Sequence, residues 1–266
     1  MRVSFDEAIA LSEFEGGRYS VSTPESWSAS GRAPGGLVEA QLFVALRAAL
    51  DDLSRIPLSF TAHLLRAPTK GHCEVHTEVL RVGRTLSNLS ARMIQDGKTI
   101  AVALASFGME RPSPVFDELP MPVLDPPNPD RATDTYIPEF AYPYGDNVVI
   151  QHRVGHEAFS GLDGPMERAG WVGFAEPRVI DAPALLMMGD VGLMGWWTRL
   201  DREYTTATLD HTTHFRSDPA QTETDLVVML SRTSLVARGY LDWDVVLWAP
   251  DGTLLCQSRQ LLAVLG

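Results

Sequence analysis

The spacing of apolar and polar residues predicts a helix followed by four strands in the first half of the chain. A short strand is expected at 17–22, and the segment from Leu37 to Leu50 is apolar on most of its circumference, which indicates a helix wrapped on several sides. Alternation with a period of two residues then predicts the four strands. They lie at 57–66, 72–82, 84–95 and 98–109, and Asp96-Gly97 joins the last two as a hairpin turn.

The second half repeats this series of elements. Strands are expected at 147–155 and 171–177, before an almost unbroken apolar run at 181–200 that predicts a second long, buried helix. The turn Asp251-Gly252 follows Asp96-Gly97 by 155 positions, and Phe215-Arg216 follows Leu65-Arg66 by 150. Offsets that agree this closely indicate one ancestral unit used twice. The remaining strands are expected near 203–216, 225–235, 239–248 and 253–264.

A proline-rich segment separates the two halves. Nine of the chain's 18 prolines lie between Met109 and Tyr144, a density typical of an extended connector. We therefore predict an N-terminal unit at 1–110, a connector at 111–145 and a C-terminal unit at 146–266. The expected fold class is α+β: two antiparallel sheets, each wrapped around a long apolar helix, join edge to edge into one continuous sheet, which removes an exposed edge from each unit.

The apolar run at 181–200 contains one carboxylate near its middle, Asp190. If the run is helical, the residues on the same face are all apolar, namely Leu186, Met187, Leu193 and Met194. A carboxylate buried on such a face costs several kcal/mol unless hydrogen bonds or a partner offset the lost hydration. Two interpretations stay open: Asp190 takes part in chemistry, or it has a structural role as the start of a new turn or as the partner of a backbone amide.

The charge and the cysteines exclude several classes of protein. A formal net charge of −12 argues against nucleic acid or an anionic membrane as the main partner, because either would need a compensating basic patch. Cys73 and Cys256 lie 183 positions apart and are expected to be reduced core thiols. The acidic N-terminus and the lack of an uncharged apolar stretch of about 18 residues predict a soluble, cytoplasmic protein.

Alternation in the strand at 72–82 places four side chains that can bind metals on one face. These are His72, Glu74, His76 and Glu78, with Cys73, Val75, Thr77 and Val79 on the other face. Nothing in the spacing closes a ligand shell, so a solvated sheet face is expected in preference to a metal site. No cofactor is indicated either.

At five places the sequence resembles the acyl-CoA thioesterase II family and its thioesterase-like relatives. The first half carries GRAPGGLVEAQ, LSFTAHLLRAPTKG and LRVGRTLSNLSARMIQDGK, and the second half carries ATLDHTTHFR and LLCQSRQ. In this order and at these separations, the segments extend the resemblance over essentially the whole chain. The resemblance implies a double hotdog fold and hydrolysis of a fatty or related acyl-CoA, hence a place in lipid metabolism.

The resemblance also implies three catalytic residues. The family's aspartate, threonine and glutamine fall on Asp190, Thr208 and Gln260, where the aspartate would deprotonate a water molecule that the other two hold for attack on the thioester. Alternation supports an inward Gln260, since it shares a strand face with Leu254, Cys256, Ser258 and Leu262. Thr208 is less certain from the pattern, because its expected face also carries Thr206, Asp210, Thr212 and His214.

Four further residues are candidates for contacts with the substrate. Gly35 and Gly36 begin the first long helix, where bare backbone N–H groups suit a ligand oxygen or the oxyanion of the reaction, although a plain loop is an equally open interpretation. Met187 and Met194 are expected to line a tunnel for the acyl chain. The oligomeric state stays open, although a double hotdog can pair into a homodimer through its free sheet edges or faces.

Other functions remain to be distinguished. A serine hydrolase is disfavoured because the chain has no Gly-x-Ser-x-Gly element. A hydratase is disfavoured because YPYGDNVVI lacks the proline and nearby histidine of the Gly-Asp-x-Asn-Pro element, and we interpret this segment as a turn. The alternative from another class is a non-catalytic protein that binds acyl groups or acyl-CoA and keeps the same fold.

Overall fold

The computed structural model describes residues 3–138, 141, 143–218 and 222–265, with the side chains of 13–15 left aside. The first half contains two helices, α1 (Phe5–Ala8) and α2 (Gly35–Leu50), and six strands. These strands are β1 (Ser12–Glu15), β2 (Arg18–Thr23), β3 (Ile56–Leu64), β4 (Gly71–Val82), β5 (Leu86–Gln95) and β6 (Lys98–Gly108). The predicted strands of this half are therefore confirmed to within a few residues.

The second half contains one α-helix, α3 (Ala182–Gly189), and seven strands in its described residues. The strands are β7 (Val148–Val154), β8 (Glu167–Phe174), β9 (Thr206–Phe215), β10 (Leu226–Arg232), β11 (Val236–Ala237), β12 (Tyr240–Trp248) and β13 (Leu254–Val264). Short 3₁₀ helices lie at Glu25–Trp27, Tyr144–Asn147 and Gly195–Arg199. The second of these lies within 142–150, the segment interpreted as a turn, and the last three residues of that segment begin β7; residue 142 lies outside the described residues.

All thirteen described strands belong to one antiparallel sheet. Its order is β1-β2-β4-β5-β6-β3-β9-β13-β12-β10-β8-β7, and β11 pairs with β12 beside this path. The two halves meet where β3 pairs with β9. The predicted edge-to-edge joining of two sheets into one is thus confirmed.

The two halves have the same strand order when it is counted outward from their junction. At the junction Thr61 lies opposite Thr212, 151 positions later, and their Oγ1 atoms are 3.1 Å apart. The same offset relates Leu58 to Leu209, and each is the unpaired residue of a β-bulge in its strand. This correspondence is what duplication of a single unit produces.

Helix α2 is the long, wrapped helix that the sequence predicted. It begins directly after Pro34, whose fixed φ suits a helix start, and it ends at Asp51, which adopts a left-handed conformation with φ 49°. It packs against strands β4, β5 and β6 and against α3. Its most deeply buried apolar residues are Leu37, Ala40, Leu42, Ala45 and Leu46.

The prediction of a second long helix over 181–200 is wrong. Helix α3 has eight residues, and Asp190 follows it as the C-cap with φ −111° and ψ 7°. Glycines at 189, 192 and 195 explain the early end, because each costs a helix about 1 kcal/mol relative to alanine. At Gly195 a Cβ atom would lie 2.0 Å from the Met166 carbonyl oxygen, so the chain turns closely past its neighbour. The run is still core, since Leu186, Met187, Leu193 and Met194 are all buried.

The proline-rich connector is extended and covers part of the sheet. Residues 109–138 contain no helix or strand. Leu119, Met121 and Leu124 pack on a cluster that includes Trp171 and Trp248, on the face of the second-half sheet that points away from α3. The Trp171 indole N–H donates to the Asp125 carbonyl, 2.9 Å away. The boundaries predicted at 110 and 145 stay a prediction.

The two cysteines and strand β4 agree with the sequence analysis. Cys73 and Cys256 are buried free thiols. In β4, Cys73 and Val75 point into the core, while His76 and Glu74 form a 2.9 Å contact on the solvated face. Within the described residues, no helix combines the length and the apolar character needed to cross a bilayer.

Candidate active site

Asp190 lies where the end of α3 meets the beginning of α2. The Gly36 backbone N–H donates a hydrogen bond to Asp190 Oδ2 at 2.7 Å. Glycine is required at this contact, because a Cβ atom on residue 36 would lie 2.9 Å from both Asp190 Cβ and Met187 Cα. The N-terminal end of α2 favours negative charge through its free N–H groups and its dipole. The first half of the chain therefore holds the carboxylate of the second half.

This contact changes the role expected of the Gly35-Gly36 helix start. The sequence suggested that these N–H groups face a substrate oxygen, whereas the Gly36 N–H is directed at Asp190. A Cβ atom on Gly35 would lie 3.1 Å from Asp190 Oδ2, so both glycines border the same carboxylate. Because glycine has no side chain, α2 can approach the end of α3 closely at this point.

Gln260 and Thr208 complete a chain of hydrogen bonds that leads to Asp190. The Gln260 Nε2 group lies 3.3 Å from Asp190 Oδ1 and 3.2 Å from the Gly189 carbonyl oxygen, both of which accept from it. The Thr208 hydroxyl donates to Gln260 Oε1 at 2.8 Å, which fixes the orientation of the amide. Gln260 is 1% exposed. The structure thus brings together all three residues that the resemblance singled out.

A β-bulge explains how Thr208 reaches the inner face of β9. Leu261 pairs with Asp210 and Leu262 with Thr208, so Leu209 is skipped in the pairing. One extra residue reverses the alternation, which puts Thr208 on the side of the sheet to which His211 also points. The predicted common face of Thr206, Thr208, Asp210, Thr212 and His214 is therefore wrong beyond the bulge: Thr212 bonds to Thr61, and His214 is exposed.

The sequence analysis missed a buried contact between a glutamate and a histidine beside these residues. His211 Nδ1 lies 2.7 Å from Glu39 Oε2, and each side chain is 1% exposed. Glu39 belongs to α2 and His211 to β9, so the pair joins the two halves. The signal was present in GLVEAQ, where Glu39 is a lone carboxylate in an apolar helix, as Asp190 is in its own run.

Burial and neighbouring charges shift the pKa values of this cluster. Burial raises the pKa of the Asp190 carboxyl, against the opposing effects of His211, the Gly36 N–H and Gln260. Burial also raises the pKa of Glu39, although His211 opposes it. For His211 burial favours the neutral ring, but Glu39 and Asp190 outweigh it and the pKa is raised. The pKa of Tyr144 is raised by burial and further by the charge of Asp190.

The two methionines expected near the substrate lie in the same core. Met187 is fully buried in α3, and its backbone lies against Gly36, the residue whose N–H binds Asp190. Met194 is buried at the start of the 3₁₀ helix Gly195–Arg199. In the part of the chain that the structure describes, no group of three or more His, Cys, Asp or Glu residues is placed to hold a metal ion.

Two family models match the chain and together cover most of it. Residues 120–264 match the model described as the acyl-CoA thioesterase C-terminal domain, and residues 23–108 match the acyl-CoA thioesterase N-terminal domain. No curated protein matches the sequence.

Solved structures with the same fold extend over nearly the whole chain. A protein of unknown function with a hot dog fold from Alicyclobacillus acidocaldarius has a TM-score of 0.88 and 23% identity, covering 100% of this chain and 99% of its own. A putative thioesterase II from Thermobifida fusca has a TM-score of 0.83 and 23% identity, covering 98% and 97%. The tesB protein of Mycobacterium avium subspecies paratuberculosis has a TM-score of 0.80 and 17% identity, covering 98% of each chain. The fold is therefore the predicted hotdog fold.

Proposed function

The chain belongs to the acyl-CoA thioesterase family, and on this premise we propose that it hydrolyses a fatty or related acyl-CoA by direct attack of water. Asp190 is the general base, and Thr208 and Gln260 position the water. The observation that carries the proposal is the hydrogen-bond chain from Thr208 through Gln260 to Asp190.

The contacts around Asp190 suit a general base. Its Oδ2 atom accepts a hydrogen bond of 2.7 Å from the Gly36 N–H. Its Oδ1 atom accepts the longer hydrogen bond from Gln260 Nε2, at 3.3 Å. The residue keeps partial solvent exposure, which gives water access to it. Burial raises the pKa of the carboxyl, and a base whose pKa is closer to the working pH accepts a proton more effectively.

The reaction follows from these roles. Asp190 removes a proton from water as the water oxygen bonds to the thioester carbonyl carbon. The carbon–sulfur bond then breaks, and the proton passes from Asp190 to the departing CoA sulfur. The products are a carboxylic acid and free CoA, and Asp190 returns to the carboxylate without forming a covalent intermediate.

The test is hydrolysis of a panel of acyl-CoAs, followed by release of free thiol. We expect Asp190→Asn to lower kcat by about 100-fold to 10,000-fold, the usual contribution of a general base. Asp251→Asn serves as the matched control, because it removes a carboxylate from an exposed turn. Equal rates for the wild type and Asp190→Asn would remove Asp190 from the mechanism. Binding of acyl-CoA without hydrolysis by the wild type would favour the non-catalytic alternative.

A single turnover in ¹⁸O-labelled water tests the direct attack. If water attacks the thioester, the first molecule of product carries the label. If Asp190 instead formed an anhydride with the acyl group and water then attacked the aspartyl carbonyl carbon, the first product would carry the unlabelled aspartyl oxygen and the label would appear on Asp190.

A further inference from the structure

The pair formed by Glu39 and His211 lies against the residue that precedes Asp190. A Cβ atom on Gly189 would lie 3.3 Å from His211 Cε1 and 3.6 Å from Nε2, so the imidazole packs directly on this glycine. The Gly189 carbonyl oxygen also accepts the bond from Gln260. The imidazole therefore touches the short stretch of backbone on which the position of Asp190 depends.

The charges in this cluster depend on one another. Glu39 Oε1 is buried without a hydrogen-bond partner among the described residues, so the contact with His211 is the main compensation for a charge on Glu39. Asp190 from the end of α3 and Tyr144 from the end of the connector are the other titratable groups whose charges act on this cluster from the same side, and Asp210, on the opposite face of β9, acts on His211 through its charge alone. His211 is the basic side chain that the structure places beside Glu39 and Asp190.

We propose that Glu39 and His211 are positioning residues for the reaction, a buried ion pair that keeps Asp190 ionised and correctly placed. This inference rests on the proposed function. His211 supplies the positive charge that favours the Asp190 carboxylate, and Glu39 keeps His211 protonated and fixes its ring against Gly189. The first half of the chain thus contributes a charge as well as the Gly36 N–H.

The duplicated architecture shows that the fold alone does not require this pair. The offset of 151 positions that relates Thr61 to Thr212 also relates Phe60 to His211. Phe60 is fully buried, so an apolar side chain fills the corresponding place in the first half. Replacing a buried ion pair by apolar residues is often neutral or stabilising, which leaves function as the reason for the charged pair beside Asp190.

The experiment compares His211→Gln with the double variant Glu39→Gln/His211→Gln. In His211→Gln the Glu39 carboxylate remains near Asp190, but the positive charge of His211 is gone, so the pKa of Asp190 rises. The acid limb, the fall of kcat/KM at low pH as Asp190 becomes protonated, therefore moves to higher pH. At a pH well below the midpoint of the wild-type acid limb, kcat/KM divided by its plateau value is about tenfold lower in His211→Gln than in the wild type. The double variant no longer has the Glu39 charge that opposes Asp190, so it recovers part of this loss, but its acid limb stays above that of the wild type because the cation is still missing. A residue with only a structural role would lower the melting temperature without moving the acid limb.

His152→Gln is the matched control. His152 also pairs with a glutamate, Glu157, at 3.0 Å, and its side chain is 8% exposed. It lies on β7 at the far edge of the sheet, so its removal leaves the acid limb unchanged. A similar shift in this variant would overturn the inference.

A second measurement does not depend on the folding of the His211 variant. The imidazole of His211 is titrated by NMR in the wild type and in Asp190→Asn. Coupling between two sites is reciprocal, so the loss of the Asp190 charge must move the His211 midpoint to lower pH. An unchanged midpoint would overturn the inference, as would an unchanged acid limb in a folded His211→Gln. Failure of the wild type to hydrolyse any acyl-CoA would instead refute the proposed function.

Discussion

The contact between Gly36 and Asp190 predicts that a single methyl group added at residue 36 lowers both stability and activity. In Gly36→Ala the added methyl group would lie 2.9 Å from Met187 Cα and 2.9 Å from Asp190 Cβ. Both atoms belong to or adjoin the backbone and cannot rotate away. Helices α2 and α3 must therefore separate, which lengthens the 2.7 Å bond from the Gly36 N–H to Asp190.

The magnitude follows from three contributions. Overpacking of this kind costs about 1–3 kcal/mol. Weakening a buried hydrogen bond to a carboxylate costs about 1.5–3 kcal/mol. The better helix propensity of alanine returns about 1 kcal/mol. The net loss of about 1.5–5 kcal/mol lowers the melting temperature by roughly 3–20 °C for a chain of this size. Because a displacement of about 1 Å can cost roughly 100-fold in rate, we expect a loss of that order in kcat/KM.

The assay combines thermal unfolding with acyl-CoA hydrolysis at a temperature where both proteins are folded. Gly16→Ala is the matched control, since a methyl group there meets nothing within 4 Å. It should leave both the melting temperature and the rate unchanged. If Gly36→Ala shows wild-type values for both, the two helices do not approach as closely as described and the reasoning is refuted.

Two further predictions concern the hydroxyl group of Thr208 and the pH dependence of stability. Thr208→Val should lower kcat by about 10-fold to 100-fold, because the Gln260 amide loses the hydrogen bond that fixes its orientation. The control Thr212→Val loses a hydroxyl contact on the opposite face of β9 and should leave kcat unchanged. Equal losses in the two variants would argue against the role of Thr208. Burial raises the pKa of Glu39 and of Asp190 in the folded state. Burial alone would lower the pKa of His211, but Glu39 outweighs it and the pKa is raised. The folded state therefore binds the protons of all three side chains more tightly than the unfolded state does. The stabilisation from His211 is full below its unfolded pKa of about 6.5 and is lost as the pH rises through its folded value, while the two carboxyls disfavour folding above about pH 4. Urea unfolding of the wild type should therefore show stability falling from about pH 5 to 8, with a shallower slope in Glu39→Gln/His211→Gln; equal slopes would contradict this account.

The strands and their common sheet were predictable because alternation leaves a direct trace in the sequence. The strand β13 shows this well: Cys256, Ser258, Gln260 and Leu262 point inward as the period of two predicts. Helix α2 was predictable because apolar residues occupy most of the circumference of a helix over the fourteen residues from Leu37 to Leu50.

Other features depend on properties that a pattern does not record. Helix α3 ends early because glycine spacing outweighs apolar periodicity in GDVGLMG. The bulge at Leu209 is a property of strand pairing, so alternation alone assigned its neighbours to the wrong face. The contact between Glu39 and His211 joins residues 172 positions apart, and only the packing of α2 on the sheet brings them together.

The offset of 151 positions gives the strand residues near Asp190 counterparts in the first half. Pro57 corresponds to Thr208 and Phe60 to His211, and the strand pairing relates Ala105 to Gln260. In a dimer of identical chains such partners could not diverge, because one gene would specify both. Covalent fusion removed that constraint. One copy carries a proline and an alanine where the other carries the hydroxyl and the amide, so a symmetric scaffold holds a single, one-sided arrangement of polar groups.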